Sequence, residues 1–240
     1  MTGMQAAAET LHRMSEGGGE KAEDAGEGRR ARRQRETRAA LIAAAMDLMR
    51  KRGIYGTRIE DITQRADVGK GVFYNYFPSK EALVAELVTA GIELLEREYV
   101  AMLKKDLTLE QRVEGLTRLQ ERFFKEHPEF ALVFHQARGL LLLGGEETTA
   151  LQGAFADYLS RLSRHLRGSD EEWSEDELVD AAALIAGAGT GYRSFCGAIG
   201  RPVTPATLAM ALVSGIPDVL EKRKRARKER SALRKRANSG

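Results

Sequence analysis

Between Thr57 and Pro78 the chain has room for two short helices and one tight turn. That constraint limits the fold more than any other feature. Thr57-Arg58-Ile59-Glu60 reads as a capping box, in which the Thr57 hydroxyl takes the Glu60 amide while the Glu60 carboxylate reaches back to the Thr57 amide. The helix it opens runs through Ile59, Ile62 and Ala66, about nine residues, and gives out near Asp67. After a turn of about three residues, Val68, Val72 and Phe73 recur at helical spacing, so "DVGKGVFYNYFPSK" carries a second short helix. Pro78 then forces Phe77 into an extended conformation, and Ser79 is a good N-cap for a long helix from Lys80 to about Leu103.

The surroundings fit a three-helix module. From Thr37 onward Leu41, Ile42, Ala45, Leu48 and Met49 form one helical stripe, closed by basic Arg50, Lys51 and Arg52 and by Gly53 at the left-handed cap position. Downstream, helical patterns cover roughly 108–126, 128–143, 147–167, 175–199 and 205–222, with no alternating strand pattern and no repeat. The fold class is all-α: an N-terminal helix-turn-helix three-helix module followed by a C-terminal helical bundle. The expected divisions are a disordered tail over 1–28, a basic arm and helix-turn-helix over 29–82, a helical domain over 83–222 and a basic tail over 223–240.

Charge is segregated along this layout. The formal net charge is only +3, yet Arg29 to Arg38 holds six arginines against Glu36, and Glu221 to Gly240 holds ten Lys or Arg against two acids. An acidic body with basic appendages suits a polyanionic partner reached by arms. A basic run that is merely a solvated tail is the plain alternative, with equal weight for the C-terminal run. The single Cys196 excludes an internal disulfide and points to a reducing cytoplasm. The apolar runs are too short to span a bilayer, and the C-terminal basic run lacks the apolar face that would insert into one.

The second short helix has the chemistry of a surface that reads DNA. Gly69 and Gly71 remove side chains that would hold the helix away from a groove. Lys70 between them can reach a phosphate or a guanine edge, Val72 a thymine methyl, and Tyr74, Asn75 and Tyr76 offer polar groups one turn on. Lys80 adds a cation beside free helix amides. Phe73 and Phe77, four apart, read as core. Gly69-Lys70-Gly71 lacks the frame and the preceding strand of a phosphate loop.

The stretch Ile42 to Leu87, "IAAAMDLMRKRGIYGTRIEDITQRADVGKGVFYNYFPSKEALVAEL", resembles the DNA-binding domain of tetracycline-repressor (TetR) family regulators, in register over about a fifth of the chain. The resemblance implies an all-helical homodimer that binds a palindromic operator of double-stranded DNA and represses until an unknown small-molecule effector enters the C-terminal domain. It places Thr57 and Arg58 on backbone phosphate, Lys70, Gly71, Val72, Tyr74, Asn75 and Tyr76 facing the groove, and Lys80 on phosphate. Asp67 stands where the family commonly has a turn glycine, a change Asp tolerates through left-handed geometry, and Gly69 replaces a common Ser or Thr. The basic run Arg29 to Arg38 can compensate for that lost hydroxyl by following the minor groove.

For the larger domain only architecture carries over. Its last two long helices are expected to pair with their copies, and the small residues of "AAALIAGAGTG" (181–191) allow close helix approach. Phe130, Phe134, His135, Arg138, Tyr158, Tyr192, Arg193 and Phe195 are candidate ligand residues, being aromatic or ionisable within apolar helices; satisfied core or surface groups are the plainer reading. His127, His135 and His165 lack metal-site spacing, no cofactor motif is present, and no nucleophile, base and orienter group together, so neither a metal nor catalysis is expected. The alternative function is a sequence-independent nucleic-acid-binding protein driven by the basic tails.

Overall fold

The computed structural model describes residues 28–102, 107–144, 148–168 and 173–237. The N-terminal segment read as disordered lies, apart from Gly28, outside the described residues. The described residues form α-helices and connecting turns, with no strand among them. In chain order the helices are α1 (Arg29–Arg52), α2 (Ile59–Arg65), α3 (Lys70–Tyr74), α4 (Lys80–Met102), α5 (Leu109–Glu126), α6 (Pro128–Leu143), α7 (Thr149–Leu166), α8 (Glu175–Ala198) and α9 (Pro205–Ala237). The chain divides into two compact units, one of residues 1–96 and 123–156 and the other of 97–122 and 157–240.

In the first unit, Leu41, Ile42, Ala45 and Met49 of α1 are buried with Ile62, Phe73, Phe77, Leu83, Val84 and Leu87. Each large side chain so removed from water contributes about 1.5–3 kcal/mol, and together they weld three short elements too small to hold alone. Phe73 and Phe77 are fully buried with ring centroids 5.5 Å apart, as their spacing predicts. Ser79 accepts the Ala82 amide at 3.1 Å and caps α4.

Three local expectations are corrected. The basic run 29–38 is the opening of α1 rather than an arm, consistent with the high helix propensity of arginine. The last helix likewise continues past 222 to Ala237. At the start of α2 the capping box is displaced by one residue: Asp61 Oδ2 accepts the Arg58 amide at 3.3 Å. The fully buried Thr57 instead turns inward, its hydroxyl donating to the Gly53 carbonyl at 2.8 Å.

In the second unit α8 opens with a complete capping box, Ser174 Oγ accepting the Glu177 amide at 3.3 Å and Glu177 Oε2 accepting the Ser174 amide at 2.9 Å. The first part of the basic C-terminal helix is held against α8: Arg223 pairs with Asp180, Arg227 lies 3.4 Å from Glu177, and Lys224 sits 5.1 Å from the Trp173 ring centre.

Candidate nucleic-acid interface

The turn between α2 and α3 is built around Asp67, the one described non-glycine residue with positive φ, at 54°. The Val68 amide donates to the Thr63 carbonyl at 3.0 Å and the Asp67 amide to the Gln64 carbonyl at 3.3 Å, the paired bonds of a left-handed helix stop. Aspartate there costs less than a branched residue because its short polar side chain tolerates this region. The stop turns the chain so that α3 leaves α2 with its opening residues outward.

Gly69 has φ −70°, an ordinary extended value, and Gly71 lies within α3. A Cβ at either position would meet nothing within 4 Å. Neither backbone conformation nor internal crowding therefore requires glycine. The notch they leave faces away from the protein, with Lys70 between them. Tyr74 is 50% exposed, Asn75 is exposed, and Val72 and Tyr76 are half-buried. Lys70, Gly71, Val72, Tyr74, Asn75 and Tyr76 thus come together on one short element and its end.

Lys70 is not idle in the unliganded molecule. Its ammonium contacts Glu60 Oε1 at 2.5 Å, a contact that lowers the Glu60 carboxyl below its ordinary value and raises the lysine. Lys80 Nζ donates to the carbonyls of Ile54 at 3.2 Å and Thr57 at 3.3 Å, so this cation buttresses the turn before α2. Arg58 is exposed beside it, whereas Thr57 is enclosed.

Three positions escaped the sequence reading. Arg38 pairs with Glu86 of α4 and sits 5.6 Å from the Phe77 ring centre, so it joins α1 to α4 rather than serving the basic run. Burial pushes the Glu86 carboxyl up, with Arg38 opposing that shift. Asp47 of α1 gathers Lys51 at 3.0 Å, Arg65 of α2 at 2.6 Å and Arg50 at 3.5 Å, and the Lys51 hydrogen bond leads the effects that hold its carboxyl low. Gln136 of α6 accepts the Ile54 amide at 2.6 Å, and a Cβ on Gly53, at φ 72°, would lie 2.6 Å from its amide. A partner 82 residues away leaves no local pattern to read.

The candidate ligand residues divide. Phe130 and Phe134 are buried in an aromatic cluster of the first unit, Phe130 stacking on Phe123 at 5.9 Å and Phe134 meeting Phe124 at 5.5 Å and Phe155 at 6.0 Å. On the same helix His135 is exposed and Arg138 half-buried. Tyr158, Tyr192 and Phe195 belong to the second unit. Tyr158 is buried and its hydroxyl accepts from Gln120 at 3.0 Å; the Tyr192 hydroxyl accepts the Thr204 amide at 3.2 Å; Phe195 is 76% exposed. Half-buried Arg193 pairs with buried Glu121 at 2.7 Å, where burial raises the carboxyl and the guanidinium opposes it.

Residues 41–87 match the family model of bacterial regulatory proteins, tetR family. The chain is 37% identical over 82 residues to the HTH-type transcriptional repressor NemR of Escherichia coli K12, covering 34% of this chain and 38% of NemR. It is 29% identical over 110 residues to the HTH-type transcriptional regulator RutR of the same strain, covering 45% of this chain and 50% of RutR. The chain therefore spans half or less of the length of these two relatives. A tetR-family transcriptional regulator from Streptomyces coelicolor shares the fold with a TM-score of 0.57 at 21% identity, over 85% of this chain and 89% of that one. An outward glycine notch on a short helix, a left-handed stop before it and a matching module in sequence agree: residues 41–87 carry the module that the tetR family of bacterial regulatory proteins is matched on.

Proposed function

We propose that the protein is a DNA-binding transcriptional regulator that represses by occupying a two-fold operator as a homodimer and responds to a small-molecule effector. The observation that carries the reading is the open notch of Gly69 and Gly71, which has no purpose within the fold and suits close approach to base edges. In this reading Arg58 and Lys80 meet phosphate, Lys70, Val72, Tyr74, Asn75 and Tyr76 meet the groove, and buried Thr57 shapes the turn that presents them. NemR, which covers the same module, is named a repressor.

Dimerisation is supported by α8, where Leu184 is 49% and Phe195 76% exposed on either side of Gly187, Ala188 and Gly191. A Cβ on Gly187 or Gly191 would meet nothing within 4 Å. An apolar outer face with a small-residue centre lets a second α8 approach closely. In this reading the effector binds within the helical domain that follows the helix-turn-helix module, and Phe130, Phe134, His135 and Arg138 of α6 are its candidate contacts in the first unit. Binding to the protein's own promoter region tests the proposal: Lys70→Ala with Tyr74→Ala is expected to abolish preference over unrelated DNA, and unchanged preference contradicts it.

A further inference from the structure

Upstream of the residues matched by the family model, the first turns of α1 form one wall of a surface groove of about 420 Å³, lined by Arg30, Arg33, Gln34, Thr37 and, from beyond α3, Tyr76. The four α1 residues fall at i, i+3, i+4 and i+7, a single stripe down the helix. The lining offers two guanidiniums, a carboxamide and two hydroxyls, and no carboxylate. Elsewhere on the same helix the arginines have partners: Arg32 faces Glu36 at 3.6 Å and Arg38 is held by Glu86. Among the described residues, Arg30 and Arg33 face no acid, and both are exposed. The helix thus directs two cations, Arg30 and Arg33, into the groove that also holds the Tyr76 phenol.

We infer that this groove seats a phosphate of the DNA backbone beside the base pairs that α3 faces. The inference rests on the proposed DNA-binding reading. A guanidinium fork matches two phosphate oxygens at once, and the carboxamide and hydroxyls supply neutral donors to the rest. Tyr76 fixes the position, because it joins the groove to the end of α3 and so links backbone grip to groove entry. The rigid helical presentation replaces the flexible arm that the basic run alone implied, and contacts to phosphate set register without reading sequence.

The test is operator and non-operator binding across a salt series for the full chain, its Arg30→Ala/Arg33→Ala variant and an Arg32→Ala variant, with melting temperatures confirming folding. Each phosphate contact contributes about 0.9 to the logarithmic salt slope, so the double variant, which empties the one phosphate seat, is expected to lose about 0.9 per bound chain while keeping the operator preference. Arg32→Ala is expected to change the slope by less than half of that. Ethylation interference on the unaltered protein adds a measurement independent of folding: a sensitive phosphate beside the half-site is expected, and it should become insensitive in the double variant. An unchanged slope, an equal loss with Arg32→Ala, or no such phosphate overturns the groove while leaving the operator reading intact. Failure of the unaltered protein to bind DNA overturns both.

Discussion

In the proposed DNA-binding reading Lys70 meets the DNA, and in the unliganded molecule Glu60 already holds its ammonium. Glu60 grips its ammonium at 2.5 Å on an exposed surface, where solvent screening leaves such a pair little weight in folding. A phosphate approaching α3 must displace that carboxylate and also meets its negative charge. Glu60→Gln is therefore expected to leave the melting temperature essentially unchanged while tightening DNA binding several-fold, read by fluorescence anisotropy at fixed salt. Lys80 has a double task, because two backbone carbonyls already claim its ammonium and leave one of its three N–H groups for a phosphate. Both lysines were visible in the sequence as cations near the second short helix. Their internal partners were not, since Glu60 and Ile54 lie 10 and 26 residues away and no helical spacing connects them.

At the scale of elements, α1 and α2 are clamped at two points, Asp47 to Arg65 at 2.6 Å and Arg52 to Asp61 at 3.3 Å. The Asp47 carboxyl lies below its unfolded value, with the Lys51 hydrogen bond as the leading cause. A depressed carboxyl stabilises the fold above its unfolded pKa, and that contribution disappears as pH falls through the lowered folded value. Asp47→Asn is thus expected to cost roughly 0.5–1 kcal/mol near pH 7 and nothing once the native carboxyl is protonated, measured by urea unfolding at both pH values. The positions of most helices were legible because a 3.6-residue stripe and a Gly, Pro or Ser boundary are local signals, as at Ser79 and Gly53. The displaced cap at Arg58 and Asp61 was hidden because Thr57 and Arg58 competed for the N-cap and Glu60 and Asp61 for the third helical position, and only the burial of Thr57 decides between them. The helical start at Arg29 was hidden for another reason: a charged run without an apolar stripe has no periodicity to read.

For the molecule as a whole, the proposed two-fold assembly would turn one short reading helix into a selective device, since each half-site alone gives little discrimination. The exposed α8 face predicts a particle of twice the 26.5 kDa chain mass in sedimentation equilibrium. Leu184→Glu with Phe195→Glu places two charges on that face, where both side chains are already exposed, so folding is retained. The expected result is a monomer whose operator affinity falls by about 10²–10⁴-fold, because the second half-site no longer binds at high effective concentration. The candidate ligand residues illustrate where sequence reading stops at this scale: aromatic or ionisable character within an apolar helix did not separate enclosed Phe130 from solvent-facing Phe195.

The most direct test of the notch is Gly71→Leu, measured for both stability and operator binding. Leucine is the better helix former by roughly 0.5–1 kcal/mol, and its Cβ meets nothing within the protein, so the melting temperature should hold or rise. Operator affinity should fall at least tenfold, because the same side chain stands between α3 and the base edges. A Gly71→Leu protein that folds as well and binds its operator as tightly as the original would contradict the account.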